Sequence, residues 1–404
     1  ISAFACEPDE GSEPEVGWSW AHEMAKEVDV VVLTQGKNRE RIECWYLEHP
    51  EVTVRPYFEY LDLGAQWLKY KKRCGPFLLP YYIRWQWKAA QMEAALMEKH
   101  QLDLVHHVTF ASFRYPIFWK KLPIVWGPVG GADNAPFSLI YHGGGFIEGT
   151  RELVRNLSTW ISSKWLATFG TLDQRVTRAF ACTPQTYEVL QDAGIDSEVM
   201  PTISAVAPGA PFSCWNDGNG PIRFLYVGRL HHLKGVHLLI DALIKIADQP
   251  FELDIIGGGA SRLTLEDKVR GAKLDKKVRF LGQIPRVSLK SHYRRADVLI
   301  APSLYESGGM TVLEAFQQAR PAIVLDCGGH AISVAEGCGT RVNAHQSAEA
   351  VICDLSLAIQ SYLNDSDKIE QEGLRAWAHL RDSYSWETKR ARMLDAYEAC
   401  QNTK

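Results

Sequence analysis

The stretch "DVLIAPSLYESGGMTVLEAFQQARPAIVLD" (Asp297–Asp326) holds two short apolar runs with a helical pattern between them. "DVLIAPS" and "PAIVLD" are nearly continuous in apolar residues, as strands covered on both faces are. "MTVLEAFQQA" between them has the spacing of a helix, so the unit reads strand–helix–strand, the building block of a parallel doubly wound sheet. Two carboxylates flank a glycine pair inside it. Glu306 follows the first strand, where Gly308 and Gly309 permit tight turning and close backbone approach. A helix starting near Met310 would aim its free N–H groups at that edge, a ready anion site. Glu314 falls in the second turn among Val312, Leu313, Ala315 and Phe316, and burying it is costly unless donors reach it. Sugar or ribose hydroxyls would supply them, and so would a neighbouring Arg or Lys in a purely structural reading.

The same alternation extends outward. "IRFLYVG" (222–228), "FELDIIG" (251–257) and "KVRFLG" (277–282) read as further strands, interleaved with helical "HLLIDALIKIA", "RLTLEDKVRGAKL" and "SLKSHYRRA". The first half repeats the theme with "ISAFA", "VDVVVLT", "VTVRPY", "LDLVHHV", "PIVWG" and "AFACT". Residues 201–221, "PTISAVAPGAPFSCWNDGNGP", have a linker's composition. The expected fold class is α/β, with two Rossmann-like doubly wound domains facing across a cleft. Their expected bounds are 1–205 and 206–385, with the last helix, 386–404, packing back on the first domain. Ligands of such sheets bind beyond the carboxyl ends of the strands.

The 404 residues exceed one ordinary core, and 46% hydrophobic with 23% charged residues suit a globular chain. A net charge of -4 argues against a nucleic-acid partner. The nine cysteines form no C-x-x-C pair, which speaks against a metal or disulfide framework and for a reducing cytoplasm rather than export. No apolar run reaches the roughly 18 residues of a membrane span. The chain opens at Ile1 inside a strand pattern, which implies residues ahead of it.

Strand ends carry the candidate chemistry. "FLYVGRLHHLKG" leaves a strand at Gly228 and offers Arg229 and Lys234, cations suited to phosphate oxygens or simply to solvent. "IIGGGASR" lacks the spacing of a dinucleotide fingerprint and reads as a tight strand-to-helix turn. Asp365-Ser366-Asp367 spells D-x-D, but between two helical patterns it reads as a helix cap and not as a metal site.

Several of these pieces occur together in one family. "VGRL…KG", "IIGGG", "FLGQI", "ADVLIAPSLYESGGMTVLEA", "ARPAIVLDCGG" and "YSWETKRARMLDAY" make Ile222–Gly329 resemble the donor domain of family 4 glycosyltransferases, retaining enzymes of the GT-B fold. "GSEPEVGW", "DLVHH" and "GPVGG" carry a weaker resemblance into the first half. The resemblance implies that Gly228, Arg229 and Lys234 hold a donor diphosphate and that Glu306 meets the transferred sugar. Glu314 would take the ribose hydroxyls, Gln283 and Ile284 the base, and the amides of Gly308, Gly309, Met310 and Thr311 the phosphate and sugar. In the first half, the loop Gly11–Gly17, His106 or His107, and Gly130 would face phosphate or acceptor. Two departures stand out: Gly308 replaces a usual Phe, and Ala319 a usual Gly.

These expectations amount to a metal-independent hexosyltransferase that needs no cofactor. It would take a nucleotide-sugar donor, best UDP-linked, and a glycan or lipid-linked acceptor. Arg55–Lys88 mixes aromatic and basic residues, which suits acceptor binding or peripheral contact with the inner face of a membrane, and equally ordinary helix packing. An epimerase of the same build, or a catalytically idle sugar-nucleotide binder, are the rival readings.

Overall fold

The computed structural model describes residues 1–10, 12–67, 69, 78–169, 176–212 and 220–402. It divides into two compact units. Ile1–Ala132, Trp160–Thr202 and Trp386–Lys404 form one, and Asp133–Thr159 with Ile203–Ser385 form the other.

In the first unit β1 (Val31–Thr34) pairs in parallel with β2 (Tyr57–Tyr60). β3 (Val105–His107), β4 (Ile124–Val129), β5 (Val176–Ala181) and β6 (Ser197–Val199) follow one another in a second parallel ladder. The opening "ISAFA" joins the two ladders, because Ser2 bridges to both Leu33 and His107. "VTVRPY" forms no strand. Pro56 lacks an N–H and constrains Arg55 before it, so pairing starts only at Tyr57, whose N–H donates to the Val30 carbonyl at 2.7 Å. The helix Trp386–Asn402 buries Met393, Ala396 and Cys400 in this unit's core beside Val32, Val125 and Phe180.

The second unit has one six-stranded parallel sheet. β7 (Ile222–Val227), β8 (Phe251–Ile256), β9 (Val278–Gly282), β10 (Val298–Ala301), β11 (Ala322–Leu325) and β12 (Gly339–Val342) lie in the order β12-β11-β10-β7-β8-β9. Alternate residues point to opposite faces, and both faces are buried. Phe224, Ile300 and Ile323 join one core, while Leu225, Leu299 and Val324 join the other. That two-sided burial is why these strands read as continuous apolar runs. β12, "GTRV", lacks such a run because it lies at the sheet edge.

The sequence places 133–159 in the first domain, ahead of the linker. Its apolar residues instead bury in the second unit, with Ala135, Leu139 and Ile140 in one core with Leu239 and Leu243. The expected linker is not free along its first part either. Ile203, Ala205 and Ala207 pack on the second unit, and the Ala205 N–H donates to the Tyr384 carbonyl at 3.2 Å.

Candidate active site

From β7 the chain runs outward through β8 and β9, then returns to β10 on the other side of β7 and continues through β11 and β12. The strand order therefore reverses between β7 and β10, and in open parallel sheets such a reversal opens a crevice at the carboxyl ends. Gly228, Arg229 and Lys234 follow β7, and Glu306 follows β10. Residues 72 apart meet there, with Lys234 Nζ 2.6 Å from Glu306 Oε2. Gly235 makes this approach possible: its φ is +67°, and a Cβ at that position would lie 1.9 Å from the Pro302 carbonyl oxygen. The Leu304 N–H donates to the Leu233 carbonyl at 2.8 Å and fixes the two loops side by side.

Glu306 is held from several directions. Its Oε1 accepts from the N–H groups of Gly308 at 3.4 Å and Gly309 at 3.3 Å. Its carbonyl accepts from the Gly329 N–H at 2.6 Å. Burial alone would raise its carboxyl, but Lys234, His330 and the Gly309 amide together hold it below the ordinary value. The side chains of Lys234 and Glu306 keep about a fifth of their surface open, so a ligand can reach both. Arg229 is exposed and makes no ion pair among the described residues, while its carbonyl accepts from the Tyr226 hydroxyl at 2.9 Å. Two cations and an amide-lined carboxylate at one crevice can hold an anion beside a hydroxyl-rich group.

The helix Met310–Gln317 starts at Gly309 (φ +65°), as the sequence implies. Met310, Thr311 and Glu314 keep open surface, whereas Val312, Leu313, Ala315 and Phe316 are fully buried. Glu314 has a donor that the sequence reading did not find. The Tyr293 hydroxyl bonds Oε2 at 2.7 Å, and Arg286 stands 4.0 Å from Oε1. Gln283 and Ile284 follow β9, with the Gln283 side chain against Gly258. His330 was missed altogether. It is 1% exposed, neither ring nitrogen has a partner among the described residues, and its ring lies against Gly309. Burial holds its pKa down to about 4, so it is neutral near pH 7. The signal for it was the "GGH" that closes the turn after β11.

The first-unit expectations fare differently. His106 is a core residue, a correction to the sequence reading. Its Nδ1 meets the Tyr397 hydroxyl at 2.7 Å and its Nε2 the Gly127 carbonyl at 2.8 Å, which leaves it nothing to offer a substrate. His107 is 1% exposed, with Nε2 on the Tyr82 hydroxyl at 3.2 Å and Nδ1 without a partner among the described residues. Gly17 belongs to no loop: the helix Ser12–Ala25 contains it, and a Cβ there would lie 2.1 Å from the Ala5 carbonyl. Gly11 lies outside the described residues. Gly130 follows β4, bridges to Ser112 and abuts the Cys182 sulfur. Within Arg55–Lys88, Tyr81, Tyr82 and Trp85 are core, which removes them from any external surface. Tyr57, Trp67 and Trp87 are exposed, and Tyr70, Lys71, Lys72 and Arg73 lie outside the described residues. Asp365 caps the helix Ser366–Ser383, accepting from the Lys368 N–H at 3.2 Å.

Residues 215–374 match the profile of the family described as glycosyl transferases group 1. A glycogen synthase of Mycobacterium tuberculosis is 31% identical over 180 residues, which is 44% of this chain and 42% of that protein. The match thus spans less than half of that relative. Among solved structures, a sucrose-phosphate synthase from Thermosynechococcus elongatus is similar over 100% of this chain and 96% of its own, with a TM-score of 0.63 at 19% identity. Anabaena HepE in complex with UDP is similar over 93% of this chain and 94% of its own, with a TM-score of 0.53 at 14% identity. The fold is GT-B, with two Rossmann-like units.

Proposed function

We propose that the protein is a retaining hexosyltransferase of the family 4 type. It moves a sugar from a nucleoside diphosphate donor, best a UDP-hexose such as UDP-glucose, to a glycan or lipid-linked acceptor in envelope or exopolysaccharide synthesis. The observation that carries this reading is the Lys234–Glu306 pair at the reversal of strand order, with exposed Arg229 following the same strand, β7. The solved relative bound to UDP supports the choice of nucleotide.

In this reading the bond between the sugar's anomeric carbon and the diphosphate oxygen breaks, and the leaving phosphate gains charge. Arg229 and Lys234 stabilise that charge from fixed positions, the kind of preorganised stabilisation that carries most catalysis of this type. The leaving phosphate takes the acceptor hydroxyl's proton on the face it departs from, and the acceptor oxygen bonds to the same face. No side chain serves as nucleophile. Glu306 holds the sugar hydroxyls, Glu314 the ribose, and the Gly308–Thr311 amides the phosphate. No divalent ion bridges the diphosphate, because protein cations fill that role. The acceptor side falls to the first unit, with Gly11 and Gly130 as its candidates.

No described helix is long and apolar enough to cross a membrane. Exposed Tyr57 and Trp87, the latter with Arg84 stacked 4.1 Å from its ring, support a peripheral contact at the cytoplasmic face for a lipid-linked acceptor.

A thermal-shift screen of nucleotide sugars tests the reading. A true donor at 100 times its dissociation constant stabilises by about 2.7 kcal/mol, and NMR of the product then shows the donor's anomeric configuration kept. An inverted product, or no stabilisation by any sugar nucleotide, overturns it.

A further inference from the structure

The loop that carries Lys234 also carries two adjacent histidines that the proposed transfer does not use. His231 is exposed and His232 is 4% exposed. Glu148, from the helix Gly145–Phe169, comes to the same place. One ligand atom from each of the three lies within 4.8 Å of the others. All three belong to the second unit.

They border a cavity of about 250 Å³ between this loop and the start of the helix Arg262–Gly271. Two buried imidazoles line it with an unused nitrogen: the Nε2 atoms of His232 and of His237, which is 7% exposed, have no partner among the described residues. A buried polar atom without a protein partner is costly unless something in the cavity bonds it, so these nitrogens are open to a ligand. The backbone is shaped around the rings. A Cβ on Gly144 would lie 2.9 Å from the His232 ring, and one on Gly143 (φ +82°) would lie 2.4 Å from the His237 ring. The other charged groups at the cavity are engaged. Lys268 pairs with Asp241 at 2.6 Å, and His142 Nε2 stands 3.5 Å from the same carboxylate. Glu148 Oε1 meets Arg151 at 2.9 Å, an exposed pair that competes weakly with a metal.

We propose that Glu148, His231 and His232 form a binding site for a divalent transition metal of the zinc class, with one position open to water or to His237. Two imidazoles and a carboxylate are the donor set of that class and not of Mg²⁺ or Ca²⁺. Zinc bonds of about 2.0–2.2 Å bring donors to within roughly 3.4 Å of one another, a closure that small side-chain rotations achieve. A metal here would tie the loop between Arg229 and Lys234 to the helix Gly145–Phe169 and so fix the placement of those cations. His231 Nδ1 accepts from the Leu233 N–H at a long 3.4 Å, which puts the ring proton on Nε2; binding zinc through Nε2 moves that proton to Nδ1 and gives up this weak hydrogen bond. The site does not depend on the proposed sugar donor, and its test contains no nucleotide.

The purified chain, stripped with chelator, is titrated with ZnCl₂ by calorimetry, and Co²⁺ is then substituted and its visible spectrum recorded. One zinc per chain is expected, with a Co²⁺ spectrum lacking thiolate charge transfer. Glu148→Gln and His231→Ala, both outside the core, should each weaken zinc by more than the about 10–100-fold that loss of an outer-shell partner costs. Absence of saturable binding, unchanged affinity in either variant, or a thiolate band that assigns the metal to cysteine would overturn the proposal. The cobalt spectrum uses the unaltered chain, so it decides even where a variant folds poorly.

Discussion

The carboxyl ends of β3 and β10 both present polar residues that a sequence reader would give to a ligand, and they behave in opposite ways. His106 stands within the β3 ladder, paired across to Val125. Its side chain turns into the core, where Tyr397 and Gly127 use both nitrogens. Glu306 comes five residues after β10 has ended at Ala301, in a glycine-bearing loop, and it keeps exposed surface while gripping Lys234. Position relative to the ladder therefore matters more than residue type. A side chain inside the ladder must alternate into one of two packed faces, whereas one beyond it can be aimed at a ligand.

The sharpest way to break this contrast is to remove the cations beyond β7. Lys234→Ala and Arg229→Ala should each lower turnover by about 10²–10³-fold, with donor binding less affected. The double variant should fall short of the product of the two, since both act on one phosphate group. Adding Mg²⁺ or Mn²⁺ to the chelator-treated enzyme should leave its rate unchanged. Restoration of a silenced rate by Mn²⁺ in Glu148→Gln as well, where the proposed zinc site is disabled, would mean that a metal at the diphosphate, not Lys234, carries the charge.

Glu314→Ala ranks next. Hydrogen bonds to a charged acceptor contribute roughly 1.5–3 kcal/mol, so UDP affinity measured by calorimetry should drop about 10- to 150-fold in a folded variant. Tyr293 makes this a demanding test, because it already satisfies one oxygen. Unchanged affinity would show Tyr293 to be the carboxylate's whole purpose.

His106 supplies the opposite case. His106→Ala should cost roughly 1–3 kcal/mol of stability for the buried groups it leaves unpaired, while turnover per folded molecule stays at the wild-type level. Acid should expose the same residues. Burial holds His106 at about 3 and His330 at about 4, and in the unfolded chain such groups titrate near 6.5. As pH falls below about 6.5, the unfolded state takes protons that the folded state refuses, so this stability is whole above that pH and drains towards pH 4. Glu306, held low, adds its own loss only at more acid pH, as it protonates. Thermal midpoints at pH 7.5 and 5 should differ accordingly, and a flat profile would contradict the burial of these rings.

The smallest effect concerns Ala319. It replaces the glycine that the family resemblance leads one to expect, and its φ is +52°, a left-handed conformation that strains an L side chain. Ala319→Gly relieves about 1–2 kcal/mol of strain and loses about 0.4–1 to the freer unfolded chain. Because the Ala319 side chain is fully buried, the change also gives up roughly 0.8 kcal/mol of methyl burial. The net effect should lie within about 1 kcal/mol of zero in denaturant unfolding, and a loss beyond about 2 kcal/mol would refute the strain.

The second unit was legible because its strands are buried on both faces and announce themselves as apolar runs, β7, β10 and β11 above all. Glu306, Glu314, Arg229 and Lys234 were legible as residues following those runs. That Lys234 touches Glu306 was not, since the reversal of strand order that joins positions 72 apart is a property of topology and not of local pattern. Residues 133–159 were misplaced because chain order was taken for packing order, and β2 because "VTVRPY" has the right composition with a proline in the wrong place. His330 and Tyr293 were missed because each acts through a neighbour that only the fold supplies.

Glu306→Gln tests the central claim most directly, that Glu306 reads the sugar while Lys234 reads the phosphate. UDP and the intact UDP-sugar are titrated calorimetrically into wild type and variant, with transfer measured alongside. The account predicts UDP affinity unchanged or tighter, because Lys234 loses a competing carboxylate, together with weaker binding of the intact donor and depressed transfer. Equal losses for UDP and for the intact donor would contradict it.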